Sequence, residues 1–295
     1  MTETIPTYNG PIAVLDFLGF KQFVEGNSLR NIILTYGHEL TAAAHTSKVL
    51  KEDIQFMVYS DTIAMRLVNQ TDAGFLNFIK ALQLIAGEYF IKLMISELIS
   101  IPLRGAIAIG EYSWYNGDIT TEFYNRPPLT AYSVNFIVGK AIIEAHQHEK
   151  SQQGIGISMD EKTANIAKER FPEAWNTIIE EAYMVKYNIP AIPTSVSGFV
   201  VNPTVRPVFA NTFGLYLDKC EAIFKNEHEE YKTKLKYFNT LNLINDIHSD
   251  DNLCPRFNAI EGEKRKALSK KVDKTKYYEL IKYFEENQDT WKAVK

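Results

Sequence analysis

The chain has 295 residues, 45% of them hydrophobic, which is ample for a buried core in one large domain or in a domain with an appendage. Its net charge of −4 excludes the basic excess that is typical of a general nucleic-acid-binding surface. The most apolar predicted helix is interrupted by charges, and the polar N-terminus has no signal-peptide core, so we expect a cytoplasmic protein without a membrane span. The distant Cys220 and Cys254 form no metal-binding spacing and fit a reducing compartment.

The first predicted element is a buried strand at residues 12–15, which ends at a carboxylate, Asp16. An aspartate in a strongly apolar strand costs several kcal/mol to desolvate unless it is paired or binds a cation. Gly19 then lets the backbone approach a ligand closely, and the start of the predicted helix that follows offers N–H groups to a phosphate. A carboxylate beside a phosphate-binding turn is the arrangement that a nucleotide–metal complex needs.

Residues 55–67 show the pattern of a β-hairpin, with Tyr59, Ser60 and Asp61 at or near its tip. If this hairpin pairs beside the first strand, Asp16 and Asp61 point at the same place. Two carboxylates a few Å apart repel each other unless a cation lies between them, and Mg²⁺ is commonly held by one or two carboxylates plus substrate phosphates. The alternative stays open that Asp16 caps the following helix and that Asp61 is a turn residue.

Two helices are predicted around the hairpin. Residues 27–49 form the first of them, and Thr71 with Asp72 is a good N-cap pair for a long second helix whose apolar stripe packs on the sheet. Pro102 ends this long helix.

The next predicted strand covers residues 103–114 and begins near Arg104. Gly105 and Gly110 permit this strand to pack closely against the strand that carries Asp16. One interpretation of Arg104 is a surface arginine that pairs with the long helix.

Asn116 and Gly117 are a strong turn signal and open a predicted loop or arm that extends to a Pro-Pro pair. Residues 134–150 are then predicted to form a helix. His146 and His148 lie two residues apart on that helix, so they diverge and make a poor metal-binding pair.

The rest of the chain divides into late strands and a helical tail. We predict a strand at residues 155–160, a helix at 161–175, a β pair at 183–187 and 196–202, and helices at 212–250 and 277–291. These elements predict a first domain over residues 1–205 and a helical appendage over residues 206–295.

In chain order, LDFLGFK, YSDT and RGAIAIG resemble the motifs of the class III nucleotidyl cyclase catalytic domain. That family has an Asp-x-x-Gly-Phe strand end, a Gly-Asp or Ser-Asp hairpin and an Arg-x-Gly-Ile-x-x-Gly strand. More narrowly, these three sequence segments are similar to those of the bacterial pyrimidine cyclases of antiphage defence. The resemblance covers about residues 12–160.

The resemblance implies an α+β fold of the ferredoxin-like, palm type, with a mixed and mostly antiparallel sheet. It also implies two Mg²⁺ or Mn²⁺ ions and a nucleoside triphosphate substrate, bound at the interface of a homodimer. The residues that it assigns are Asp16, Asp61 and Arg104 for catalysis; Asp16, Phe17 and Asp61 for the metal; and Phe17, Leu18, Gly19, Phe20, Tyr59, Ser60, Arg104 and Lys186 for the substrate. An arginine suits phosphate because its planar fork holds two oxygens at once.

The chain departs from the family on the helix at residues 134–150. Purine cyclases carry an Asn and, four residues later, an Arg at places that fall here on Ile143 and Gln147. This departure favours a pyrimidine substrate, UTP or CTP, with Gln55, Met57 and Tyr59 as candidates for base selection. The same departure supports the alternative of an inactive cyclase-like module that binds a nucleotide or forms a dimer. A polymerase of the palm type is disfavoured, because the chain has no GGDEF-type hairpin and no basic channel.

Overall fold

The computed structural model describes residues 6–17, 24–26, 28, 30, 54–59, 61–95, 103–119, 132–151, 154, 156–180, 185–187, 195–198, 206–249 and 274–293. The helix predicted at residues 27–49 lies almost entirely outside these ranges. So do most of the predicted loop after Gly117 and four of the predicted site residues: Leu18, Gly19, Phe20 and Ser60.

The described strands form one eight-stranded sheet. They are β1 (Thr7–Phe17), β2 (Ile54–Tyr59), β3 (Thr62–Leu67), β4 (Leu103–Ile119), β5 (Tyr132–Val138), β6 (Gly156–Met159), β7 (Val185–Tyr187) and β8 (Ser195–Gly198). The order is β2-β3-β1-β4-β6-β8-β7, and β5 pairs with the distal part of β4. Neighbouring strands are antiparallel except for β4 and β6.

The helices are α1 (Asp72–Ile95), α2 (Lys140–Ser151), α3 (Glu161–Arg170), α4 (Pro172–Glu180), α5 (Arg206–Lys225), α6 (Tyr231–Ser249) and α7 (Lys274–Ala293). The predicted N-cap of the long helix is confirmed, because the Gly74 N–H donates to Thr71 Oγ1 at 3.1 Å. The expected α+β class with a mostly antiparallel sheet is also confirmed, as are the hairpin and the late β pair.

Each face of the sheet has its own apolar core. On one face, Phe75, Phe78 and Leu82 of α1 pack with Leu15 and other strand residues. On the opposite face, Ala141 and Ala145 of α2 pack with Ile12 and Val14. Since side chains alternate along a strand, Asp16 belongs to the α2 face together with Ile12 and Val14.

The turn predicted at Asn116 and Gly117 is wrong. Both residues lie within β4 and pair with β5, and the rings of Tyr115 and Phe136 stack across this pair at 5.4 Å. A turn signal is a local preference, whereas the antiparallel ladder with β5 supplies backbone hydrogen bonds along the whole segment. The two strands therefore continue as a ribbon where the sequence predicted a loop.

The helix predicted from residue 134 is also wrong at its start, since residues 134–138 belong to β5 and the helix begins at Lys140. Gly139 separates the two elements with a φ of +141°, a value that side chains with a Cβ rarely adopt. A Cβ at Gly139 would lie 2.5 Å from Tyr112 Cα and 2.7 Å from the Glu111 carbonyl oxygen. This close approach fixes the junction at a glycine.

The C-terminal helices α5, α6 and α7 surround a core of their own, formed by Tyr216, Leu217, Cys220, Phe224, Leu241, Tyr277, Leu280 and Phe284. Two predicted helices are each divided: residues 212–250 by the turn between α5 and α6, and residues 161–175 at Phe171. α5 also contacts α1. The boundary at residues 205 and 206 stays a prediction. None of the described helices is long and apolar enough to cross a membrane.

Candidate functional site

The end of β1, the tip of the β2–β3 hairpin and the start of β4 meet at one end of the sheet. Asp16 lies opposite Thr62 of β3 on one side and opposite Arg104 of β4 on the other. The Phe17 N–H donates to the Asp61 carbonyl oxygen at 3.0 Å, which holds the hairpin tip against the end of β1. Strand pairing thus makes Asp16 and Asp61 neighbours although they lie far apart in sequence.

The environment of Asp16 disfavours its charge. Burial raises the pKa of Asp16 above its ordinary value, the Arg104 guanidinium opposes this rise, and the Asp61 carboxylate adds to it. The contribution from Asp61 means that the two carboxylates are close enough to repel. A cation between them would relieve both the burial cost and the repulsion.

Arg104 is held by two carboxylates. Its Nη2 lies 3.1 Å from Asp16 Oδ2, and its Nε pairs with Glu149 Oε1 of α2. The Arg104 side chain is 14% exposed and the Glu149 side chain is 1% exposed, so this network is largely removed from solvent. The interpretation of Arg104 as a surface arginine paired with the long helix α1 is therefore wrong, because its partners lie on β1 and α2.

Glu149 is a site residue that the sequence analysis missed. It follows Ala141 and Ala145 at intervals of four on the buried side of α2, so the signal was an acid at an apolar position of the helical stripe. Its Oε2 lies 3.3 Å from His146 Nδ1. His148 instead contacts Ser158 Oγ through Nε2 at 2.9 Å, which confirms that the two histidines diverge.

We expect Glu149→Gln to change the pH dependence of stability. Burial raises the pKa of Glu149, Arg104 opposes the rise, and Asp16 adds to it. A raised carboxyl pKa contributes stability that is present below the ordinary value of 4.5 and is lost as the pH rises through the folded-state pKa. The free energy of unfolding of the wild type should therefore fall relative to that of the variant as the pH rises from the ordinary carboxyl value of 4.5 into the neutral range.

Urea titrations of both proteins across this range measure the difference, with Glu111→Gln as a matched control because Glu111 is exposed on β4. A difference that stays constant, or that grows with pH, would contradict the assignment of Glu149 as a buried and destabilised acid.

Helix α6 packs near the end of α2 and places Lys236 close to Arg104, Asp16 and Glu149. A Cβ built on Gly154, just after α2, would lie 3.2 Å from Asn239 Cβ on α6, one helical turn from Lys236. Burial and the positive charge of Arg104 lower the pKa of Lys236, whereas Asp16 and Glu149 act to raise it. The sequence analysis gave Lys236 no role, because only tertiary packing places α6 here.

The other predicted site residues that the structure describes lie at different distances from Asp16. Tyr59 lies opposite Thr62, which lies opposite Asp16, so all three share one row on the α2 face. Met57 and Gln55 follow on the same face of β2, farther from the tip. The Phe17 N–H is taken by Asp61, so in this arrangement it does not serve as the phosphate donor that the sequence predicted.

Lys186 is not brought to Asp16 within the same chain. It lies on β7 at the edge of the sheet, four strands away from β1, which corresponds to about 19 Å at the usual strand spacing. Its predicted contact with the substrate is therefore not supported by the topology of one chain.

The two glycines of β4 have different neighbours. A Cβ on Gly105 would clash with Leu15 and lie 2.8 Å from the Val14 carbonyl oxygen, so the predicted close packing on β1 is confirmed there. Gly110 lies opposite Gly10 in the β1–β4 pair, as predicted, and a Cβ at Gly110 would meet Ala141 of α2 at 3.5 Å. Ile143 and Gln147 both lie on the exposed side of α2, and Ile143 is 57% exposed.

The carboxylates present fit a divalent ion that shares its coordination with substrate and water. Asp16 and Asp61 offer hard oxygen ligands close together, which suits Mg²⁺ or Mn²⁺. Among the described residues, no group of three or more His, Cys, Asp and Glu side chains could hold a metal ion by itself. A site with two protein carboxylates therefore requires further ligands from a bound molecule.

No protein-family model matches the sequence, and no curated protein matches it. Among solved structures, the chain is similar to the guanylyl cyclase Cya2 with a TM-score of 0.42 and 15% identity, over 65% of this chain and 90% of that one. It is also similar to a bacterial light-regulated adenylyl cyclase (TM-score 0.44, 13% identity, 67% and 91% covered). A third structure is the adenylyl cyclase CyaB from P. aeruginosa (0.41, 11% identity, 67% and 97% covered). Similarity at this level is too low to assign a function, which has to rest on the residues of this chain.

Proposed function

We propose that the protein is a metal-dependent nucleotidyl cyclase, which converts a ribonucleoside triphosphate to a 3′,5′-cyclic monophosphate and pyrophosphate in the cytoplasm. The observation that carries the proposal is the meeting of Asp16, Asp61 and Arg104 at one end of the sheet. Two carboxylates with a neighbouring guanidinium provide both the metal ligands and the phosphate ligand that such a transfer needs.

Asp16 and Asp61 would hold two Mg²⁺ or Mn²⁺ ions. When bound, these ions would lower the pKa of the ribose 3′-hydroxyl and neutralise charge on the triphosphate. Arg104 is held beside the carboxylates by its ion pairs with Asp16 and Glu149. These contacts use Nε and Nη2, and the guanidinium has five N–H donors in all with which to hold phosphate oxygens as well. Catalysis then comes mainly from positioning and from fixed positive charge.

We propose UTP or CTP as the substrate and an antiviral second messenger as the role of the product. Gln55, Met57 and Tyr59 lie on the sheet face of Asp16 and are the candidates for base selection. Ile143 and Gln147, where purine cyclases carry Asn and Arg, support a substrate other than a purine nucleotide.

We further propose a homodimer with its active sites at the interface. The support is the exposure of large apolar side chains near the start of α2, where Val138 is 53% and Ile143 is 57% exposed. Such side chains gain stability when a partner removes them from water.

The test incubates the protein with each of the four ribonucleoside triphosphates and Mn²⁺ and separates the products by mass. A cyclic monophosphate formed from UTP or CTP supports the proposal. A cyclic product formed only from ATP or GTP would support the cyclase activity but contradict the assignment of a pyrimidine substrate. No product from any of the four would contradict the cyclase.

A catalytically inactive module that binds a nucleotide or forms a dimer is the second candidate. One observation favours it. Arg104 forms ion pairs with Asp16 and Glu149, so part of the negative charge at the site is neutralised without a metal. Metal-dependent binding of a triphosphate without turnover, measured by calorimetry, is the expected result for this candidate.

A further inference from the structure

A cavity of about 550 Å³ lies at the opposite end of the sheet from Asp16. Tyr8 of β1 lines it and precedes Asp16 by eight residues along the strand, which corresponds to about 26 Å. Gln55 of β2, Arg66 of β3 and Trp114 of β4 line the cavity as well. Its volume lies in the range of small-molecule sites. Arg66 lies opposite Ile12, four residues or about 13 Å along β1 from Asp16, so the two carboxylates lie outside the cavity, whereas Gln55, a candidate for base selection, lines it.

Arg66 is buried in the wall of this cavity and is only 6% exposed. Its guanidinium carbon lies 3.9 Å from the ring centroid of Tyr8 and 5.3 Å from that of Trp114. Its Nε donates to Gln55 Oε1 at 2.8 Å. Two aromatic rings and one amide therefore hold the guanidinium in a fixed orientation.

Arg66 differs from Arg104 in its ionic contacts. Within the described part of the chain, Arg66 forms no ion pair with a carboxylate, whereas Arg104 forms two. A buried cation without a counter-ion is costly, and the ring faces compensate only in part. An anion entering the cavity would supply the missing charge at a donor group that is already oriented.

The aromatic residues of the cavity indicate that the anionic ligand also carries a planar ring. Tyr8 and Tyr115 are partly exposed and line the same cavity as Arg66, so a planar ring can contact aromatic side chains there, whereas Trp114 is only 5% exposed. Gln55 adds an amide that can donate to and accept from polar atoms on the edge of such a ring.

We propose that this cavity is a binding site for a small organic anion with a planar ring, of the nucleoside monophosphate class, with its phosphate at Arg66. The ring packs beside Tyr8 and Tyr115. The inference does not depend on the proposed cyclase activity, because it rests on Arg66 and its surroundings at the other end of the strands.

The test is calorimetry on the full chain in EDTA, with UMP and AMP as probes. Uridine carries the ring without the charge, and inorganic phosphate carries the charge without the ring. We expect at least one monophosphate to bind, with uridine and phosphate about tenfold weaker or more, because each lacks one of the two recognised features. Equal binding of phosphate alone would overturn the ring assignment, and no binding of either monophosphate would overturn the site.

Gln55→Glu is the decisive variant. Gln55 is exposed, so the protein should fold, and the new carboxylate would lie where Oε1 now contacts Arg66. An internal ion pair should raise the melting temperature and weaken monophosphate binding about tenfold or more, because the ligand loses its unpaired cation. Unchanged affinity in this variant would contradict the role of Arg66.

Two control variants distinguish binding in this cavity from binding elsewhere on the protein. Asp61→Asn should keep monophosphate affinity within about twofold, since Asp61 lies at the other end of the sheet. Lys282→Gln removes an exposed cation from α7 and should also leave binding unchanged. Loss of monophosphate binding in Asp61→Asn would place the ligand at Asp16 and Asp61 and overturn the proposed site at Arg66. This conclusion would hold whether or not the protein forms a cyclic nucleotide.

Discussion

Replacing Asp61 with Asn should reduce formation of a cyclic nucleotide by about three orders of magnitude while the fold is retained. Asn is nearly isosteric but neutral, so it removes one of the two charges that would hold the metal ions. Asp61 lies in the turn of the hairpin and is partly exposed, and Asn is well accepted at such turns. The measurement is the initial rate with the preferred triphosphate at saturating Mn²⁺, together with thermal melting.

Asp289→Asn is the matched control, because Asp289 is 90% exposed on α7 and far along the chain from the candidate site. Its rate should equal that of the wild type. An Asp61→Asn protein that keeps more than about a tenth of the activity would contradict the assignment of Asp61 as a metal ligand.

Arg104→Met should lower the free energy of unfolding by about 3–5 kcal/mol, because it leaves two partly or fully buried carboxylates without their cation. Asp16 would lose its partner at 3.1 Å, and Glu149 would stay buried without its guanidinium partner, 3.3 Å from His146. Chemical denaturation at neutral pH measures the loss. The same change should remove the phosphate contact that the proposed reaction needs.

Arg104→Lys separates the two roles of this residue. A lysine keeps the charge, so much of the stability should return, but it lacks the planar fork that holds two groups at once. We therefore expect a stable protein with a raised KM for the triphosphate. An Arg104→Met protein as stable as the wild type would show that the network with Asp16 and Glu149 is not a structural element.

Much of the sheet was predictable because its strands have strong local signals. The apolar residues before Asp16, the hairpin at residues 54–67 and the N-cap at Thr71 all appear where they were expected. The errors fall at β4 and β5, where Asn116-Gly117 suggested a turn and an apolar run after residue 134 suggested a helix. Both errors have the same cause: the pairing of β4 with β5 outweighs the local preference of each segment.

Of the candidate site, the sequence motifs indicated Asp16, Asp61 and Arg104, but neither Glu149 nor Lys236. An aspartate at the end of an apolar strand is conspicuous in a sequence, and so is one at the tip of a hairpin. Glu149 was not conspicuous, because an acid near the end of a charged-looking helix is normally exposed. Arg66 was overlooked for the same reason, since its burial depends on Tyr8 and Trp114, two residues from other strands.

The sequence by itself determined the strand before Asp16, the hairpin and the N-cap at Thr71, because hydrophobic alternation and capping act over a few residues. It also suggested Asp16 and Asp61 as candidate site residues, since carboxylates beside apolar strands need a partner. Only the tertiary structure decided that Arg104 pairs with Asp16 and Glu149 and that α6 brings Lys236 beside them. These contacts join residues that are distant along the chain, and their energies arise only when the strands and helices pack.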